Sequence, residues 1–266
     1  MKKLLFALLV TTIATSAALA QDWIKERLEK TPRHLEWVTI TNNGRAVKCF
    51  VAYPEVKDKA TAVVVIHEIF GLTDWVRGVT DQLAEAGYIA IAPDFLSGSA
   101  TNGGGTEELG GGDAVRKAIS SLKADQITGD LNAAVDYATS LPSCNGKVAV
   151  GGFCWGGTQT FRFATNSKKV KAAFPFYGTG PEKAEDIARI ECPVYGFYAG
   201  NDNRVTSTVS KSTELMKEAN KTYEPVTYDG AGHGFMRAGE DPSGNEGNKK
   251  AREEAWKRWK DLLKKI

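Results

Sequence analysis

Val148-Ala149-Val150-Gly151-Gly152-Phe153-Cys154-Trp155-Gly156-Gly157 runs from an apolar triplet, through a cysteine flanked by glycines, into a glycine pair. Val148 to Val150 reads as a buried strand and the segment after the glycine pair as a helix. A cysteine between them has three readings: a nucleophile held out on a tight turn, half of a disulfide, or a small core residue. Gly152-Phe153-Cys154-Trp155-Gly156 is G-x-S-x-G with sulfur in place of oxygen, and a strand-to-helix setting is what a nucleophile elbow requires. The glycines let the chain turn sharply without side-chain collisions, while the helix N-terminus behind the turn supplies positive potential for a thiolate or an oxyanion. The context favours the nucleophile.

The rest of the chain alternates in the same way. Ala62-Val63-Val64-Val65-Ile66 is continuously apolar, as expected of a strand buried on both faces. Asp74 then opens a helix with Val76, Val79, Leu83 and Ala86 at helical spacing, Gly87 ends it, and Tyr88 to Ala92 forms the next strand. Ahead of this unit, Glu36 to Thr41 and Val47 to Tyr53 flank Asn42-Asn43-Gly44 as a β-hairpin. A helix carrying Leu131, Val135, Ala138 and Leu141 leads to the elbow strand. Beyond the elbow, strands are predicted at Ala172 to Phe176, Pro193 to Tyr198 and Pro225 to Tyr228, with a helix near Thr206 to Ala219. Trp256, Trp259, Leu263 and Ile266 share one face of a terminal helix, read as packing on the sheet rather than on a membrane. This alternation predicts an α/β fold, a mostly parallel sheet flanked by helices on both faces. Ser97 to Gly112 interrupts it with seven glycines and almost no apolar side chain. That segment is expected to be a mobile loop, either a lid or substrate loop or a tolerated insertion.

Residues 1–20 run from Lys2 and Lys3 through apolar Leu4 to Val10 and on to Ala18-Leu19-Ala20, which reads as a secretory signal peptide cleaved near Ala20. The strongly apolar part is too short to span a bilayer well. The expected mature chain, residues 21–266, is sized for a single α/β domain and carries 32 basic and 32 acidic residues, so no charge surplus points to nucleic acid or to an anionic membrane. Cys49, Cys144, Cys154 and Cys192 lie far apart and match neither a disulfide scaffold nor a zinc site. Cys144 and Cys192 each precede a predicted parallel strand and could pair at one sheet edge; buried free thiols are the commoner alternative.

A thiol nucleophile needs a base. His233 lies in Gly230-Ala231-Gly232-His233-Gly234-Phe235, just past the last predicted strand, and Asp202 lies in Ala199-Gly200-Asn201-Asp202-Asn203, past the strand before it. Cys154, Asp202 and His233 thus follow the chain order of α/β-hydrolases. His67-Glu68 ends the central strand. It fails as a metalloprotease motif, because Gly71 stands four after His67, but Glu68 is placed to reach the crevice where strand C-termini converge. A carboxylate close to Cys154 would disfavour its thiolate, so some change on substrate arrival is expected. No glycine run contains a phosphate-binding G-x-x-x-x-G-K-[ST].

These stretches, namely His67-Glu68-Ile69-Phe70-Gly71, Ala92-Pro93-Asp94, Gly152 to Gly157, Gly200-Asn201-Asp202 and Ala231-Gly232-His233-Gly234-Phe235, resemble the dienelactone hydrolase family of the α/β-hydrolases in their order. The resemblance implies an α/β-hydrolase fold and hydrolysis of an ester or lactone, with no cofactor and no metal. It implies Cys154 as nucleophile, His233 as its partner, Asp202 as the orienting acid and Glu68 as a switch that keeps the resting thiol protonated. The backbone N–H groups of Ile69 and Trp155 would form the oxyanion hole. Arg237 matches a substrate-carboxylate position, and Arg116 is a rougher counterpart of a second one. A hydroxyl residue found in the family's best-known members is replaced by Gly234. The expected partner is a small-molecule ester or lactone met outside the cytoplasm, in the periplasm or beyond, by a monomer. The competing reading is a non-catalytic periplasmic binding or thiol-redox protein that keeps the fold.

Overall fold

The computed structural model describes residues 24–266, and the expected leader lies outside the described residues. The apolar run before His67 becomes β3 (Ala60–Ile66), in which every residue is buried. It sits inside an eight-stranded sheet with β1 (Leu35–Asn42), β2 (Arg45–Ala52), β4 (Ile89–Pro93), β5 (Cys144–Phe153), β6 (Ala173–Phe176), β7 (Val194–Ala199) and β8 (Tyr223–Tyr228). The order is β1-β2-β4-β3-β5-β6-β7-β8, with β1, β2 and β4 joined antiparallel and every later pairing parallel.

The pleat divides the core in two. Val64 and Ile66 join the cluster under α3 (Ala124–Ser140) and α4 (Trp155–Asn166), with Leu131, Val135 and Phe161. Val63 and Val65 point the other way, into the cluster under α1 (Asp74–Glu85) and α9 (Glu246–Leu263), with Val76, Leu83 and Trp259. Burying a branched aliphatic side chain contributes about 1.5–3 kcal/mol, so a strand apolar on both sides is held strongly in the middle of the sheet. Further helices are α2 (Gly112–Ser120), α5 (Ala184–Ala188), α6 (Asn203–Thr206), α7 (Val209–Glu218) and α8 (Phe235–Ala238). The terminal helix α9 packs on the sheet as expected: Trp259 is fully buried against Phe176, with ring centroids 4.9 Å apart, and a Cβ on Gly151 would lie 2.8 Å from its indole.

One open choice is decided and one expectation is corrected. Cys144 and Cys192 are not bonded; all four cysteines are free, and Cys49, Cys144 and Cys192 are buried. Cys144 opens β5 and Cys192 leads into β7, and β6 runs between those strands. Two strand spacings of about 4.8 Å exceed the roughly 7 Å that a disulfide tolerates between Cα atoms. The glycine-rich segment, in turn, is pinned rather than free. Asp94, just past β4, accepts from Thr106 N (2.8 Å), Thr106 Oγ1 (2.8 Å) and Leu96 N (3.0 Å), while Thr106 Oγ1 accepts from Leu72 N (3.0 Å). Its glycines are used for close approach, since a Cβ on Gly105 would strike the Asp94 carboxylate. The anchor is polar, which a search for apolar side chains misses.

Candidate active site

The elbow forms where β5 hands over to α4. Cys154 has φ 57° and ψ −116°, a left-handed backbone costly for a side chain with a Cβ. Its N–H is tied to Phe176 O (3.0 Å) and its carbonyl accepts from Thr158 N (3.2 Å), so the turn is fixed at both ends. The glycines are demanded by contact: a Cβ on Gly152 would overlap Gly156 O, one on Gly156 would overlap Ile66 O, and one on Gly157 would overlap Phe176 O.

Three loops, at the ends of β5, β7 and β8, meet there. His233 Nε2 lies 3.1 Å from Cys154 Sγ, and His233 Nδ1 lies 2.5 Å from Asp202 Oδ2. Asp202 on Nδ1 holds a proton on that nitrogen and turns Nε2 toward the sulfur. The two loops are tied together by Asn201 N to Ala231 O (2.8 Å), and α9 secures the second through Asn248 Oδ1, which accepts from Gly232 N (2.8 Å). The hydrogen bond to Cys154, supplemented by that to Asp202 and opposed by burial, pushes His233 up to about 9. At neutral pH the imidazolium form is therefore favoured beside sulfur. The N-terminus of α4 lies directly behind Cys154 and adds positive potential.

Glu68 follows β3 in a tight turn closed by Gly71 N to Glu68 O (3.1 Å). Its buried carboxylate meets Arg237 rather than Cys154: Arg237 Nε donates to Glu68 Oε2 at 2.8 Å. Burial raises Glu68 above the ordinary carboxyl range, with Arg237 opposing, so this group can hold a proton at a pH where an exposed glutamate cannot. Arg237, on α8, also covers the Phe70 ring at 5.4 Å. The Ile69 and Trp155 N–H groups have no acceptor among the described residues, and Trp155 N opens α4, where helical donors are unpaired. Arg116 is not brought into this group. It lies on α2, half-exposed, with its guanidinium on Asp113 in the preceding turn.

Sequence reading passed over two residues of the site. His67 is fully buried, with its ring stacked on Trp155 (5.4 Å) and Nδ1 2.8 Å from Glu68 O; burial depresses its basicity and keeps it neutral. The Trp155 indole therefore packs inward on His67 and Phe95. Tyr177 follows β6, and its ring meets His233 edge-on at 5.2 Å. The signal for Tyr177 was positional, because strand C-termini converge on the crevice and β6 ends one residue before it.

The description "Dienelactone hydrolase family" matches residues 47–266. The chain belongs to the dienelactone hydrolase family. A Salmonella typhi chain provisionally named a carboxymethylenebutenolidase is 33% identical over 217 residues, covering 74% of this chain and 76% of that one. A Synechocystis relative with the same provisional name is 32% identical over 245 residues, covering 85% and 94%. A crystal structure from Klebsiella pneumoniae, provisionally titled a dienelactone hydrolase, superposes with TM-score 0.76 at 25% identity, over 89% of this chain and all of that one. Membership makes this dienelactone hydrolase-family protein an ester or lactone hydrolase of the α/β-hydrolase fold. Among the described residues no group of three or more His, Cys, Asp or Glu is arranged to hold a metal ion, and no helix is long and apolar enough to cross a membrane.

Proposed function

We propose that this hydrolase cleaves esters or lactones bearing a free carboxylate through Cys154, His233 and Asp202, with Glu68 as a switch. The observation that carries the reading is the unbroken line from Cys154 Sγ through His233 to Asp202, at 3.1 and 2.5 Å. In acylation the Sγ thiolate, its proton passed to Glu68, attacks the carbonyl carbon beside the His233 imidazolium. The oxyanion is met by the N–H groups of Ile69 and Trp155, and His233 then delivers its proton to the departing alkoxide, leaving a thioester. Water, losing a proton to His233, attacks that thioester and releases the acid. A carboxylate against Cys154 would hold the thiol protonated; a Glu68 turned onto Arg237, as described above, corresponds to the thiolate–imidazolium side of the switch. The proton that leaves sulfur has a fitting acceptor in Glu68, whose burial raises its affinity for it.

Arg237 is about half exposed, and its Nε alone is used by Glu68, which leaves the outer face of its guanidinium for a substrate carboxylate. Nothing comparable supports Arg116. In a screen of esters and lactones, p-nitrophenyl hemisuccinate is expected to outrun the similarly sized p-nitrophenyl butyrate. Arg237→Ala is expected to cost the charged ester about 10- to 100-fold in kcat/KM, the worth of a hydrogen bond to a charged group, and to abolish the preference. Equal rates on both esters in the wild type would count against an anion pocket. We also infer that residues 1–20 are an export leader and that residues 21–266 act outside the cytoplasm as one hydrolase domain. A mature N-terminus near Gln21 is expected on sequencing, and an intact Met1 in the periplasmic fraction would refute the inference.

A further inference from the structure

Glu68 supplies two parts of the site from one residue. Its side chain is the switch, and its carbonyl belongs to the same peptide unit as the Ile69 N–H. A peptide unit is planar and trans, so its C=O and N–H point in opposite directions, and whatever fixes the carbonyl also aims the donor. The Glu68 carbonyl is held twice, by Gly71 N at 3.1 Å and by His67 Nδ1 at 2.8 Å. The second contact settles where the imidazole carries its proton. Burial, opposed by the Asp94 charge, keeps the ring neutral, and a carbonyl oxygen only accepts, so the single N–H of the ring is on Nδ1.

The ring has no freedom to turn. It is fully buried, stacked on Trp155 at 5.4 Å and met edge-on by Phe95 at 5.2 Å, and Phe95 also meets the Trp155 ring edge-on at 5.8 Å. The backbone of His67 is equally confined, since a Cβ on Gly156 of the elbow would overlap His67 O. His67 thus touches both halves of the proposed oxyanion hole, the Ile69 peptide through Nδ1 and Trp155 through its ring. An imidazole costs more to bury than the apolar side chains that precede it in β3, so packing alone does not account for it.

We propose that His67 is a positioning residue whose Nδ1–H pins the Glu68–Ile69 peptide, keeping the Ile69 N–H aimed at the oxyanion while the Glu68 side chain swings. This rests on the triad-and-switch reading above. On a turn closed by the Gly71 bond alone, movement of the Glu68 side chain would carry its own peptide with it, and the donor would lose its aim in the step that needs it. His67 is inaccessible and touches no substrate; its effect passes through Ile69.

The test is His67→Phe, which keeps a buried ring and removes the donor, beside His67→Asn, which keeps an N–H near the place of Nδ1 and gives up the ring. Both are assayed on the hemisuccinate and butyrate esters, with Cys154→Ala alongside. Alkylation of Cys154 by iodoacetamide serves as a reaction of the same sulfur that forms no oxyanion. His67→Phe is expected to lower kcat about 10- to 100-fold on both esters, a part of what losing an oxyanion donor outright costs, with KM and the alkylation rate each within about twofold of wild type. His67→Asn is expected to be faster than His67→Phe. In the wild type, nitrogen NMR of the histidine rings at neutral pH should place the His67 proton on Nδ1. Unchanged kcat in His67→Phe, a loss that falls on KM or is matched by slower alkylation, His67→Asn no faster than His67→Phe, or a proton on Nε2 would overturn the proposal while the triad stands. Turnover surviving in Cys154→Ala would instead remove the triad reading, and this proposal with it.

Discussion

Replacing Cys154 with alanine is expected to lower kcat on a short p-nitrophenyl ester by about 10³-fold or more, the scale on which removing a nucleophile acts when oxyanion donors and binding contacts remain. KM should change little, because the side chain lies at the reacting atom and not in the binding surface. Cys154→Ser preserves the elbow and the hydrogen bond to His233 but replaces a thiol with a hydroxyl that ionises far less readily, and it is expected to fall between wild type and alanine. The same series on dienelactone tests whether a lactone follows the same route. Undiminished turnover by Cys154→Ala on both substrates would show that sulfur is not the nucleophile.

The second large effect is expected at Asp202. Asp202→Asn leaves the shape of the loop but removes the charge that fixes a proton on His233 Nδ1, and a loss of about 10²- to 10⁴-fold in kcat is expected. A pH signature goes with it. His233 is raised to about 9, first by its hydrogen bond to Cys154 and then by Asp202. A raised value means that the imidazolium persists below about pH 9 and is lost above it. Acylation uses that imidazolium to protonate the leaving alkoxide, so kcat/KM should fall as pH rises through about 9, whereas alkylation of Cys154 by iodoacetamide, which needs only the thiolate, should not. In Asp202→Asn one stabilising partner is gone, and the falling limb should move to lower pH. Because His233 owes its raised value to these contacts, the limb reports the cluster rather than an isolated imidazole. A limb at the same pH in both proteins would contradict the coupling.

The parts of this molecule that were legible in its sequence are those governed by local rules. β3 announced itself because a strand buried on both faces has no polar positions, and the elbow because only glycine tolerates carbonyls as close as Ile66 O and Phe176 O. Cys154, Asp202 and His233 could be found because parallel strands bring their C-terminal ends to one crevice. What stayed hidden depends on which distant groups meet. The Asp94–Thr106 clasp joins polar residues twelve apart and gives a glycine run the appearance of slack. Arg237 was read as a substrate ligand, yet its pairing with Glu68 spans 169 residues and leaves no local trace. Arg116 was placed near the site by rough position along the chain, while its nearest charge is Asp113, one helical turn away. The separation of Cys144 from Cys192 depends on the single strand β6 between them, and strand order is not a local property.

The central claim is that sulfur of Cys154 carries the acyl group, and trapping that intermediate tests it most directly. Enzyme mixed with an ester whose thioester hydrolyses slowly, quenched in acid and examined by intact-mass and peptide mass spectrometry, should gain one acyl group on the peptide that contains Cys154. The adduct should be absent from Cys154→Ala and should disappear on treatment with neutral hydroxylamine, as a thioester does. An acyl group on any other residue, or turnover that never loads Cys154, would contradict the account.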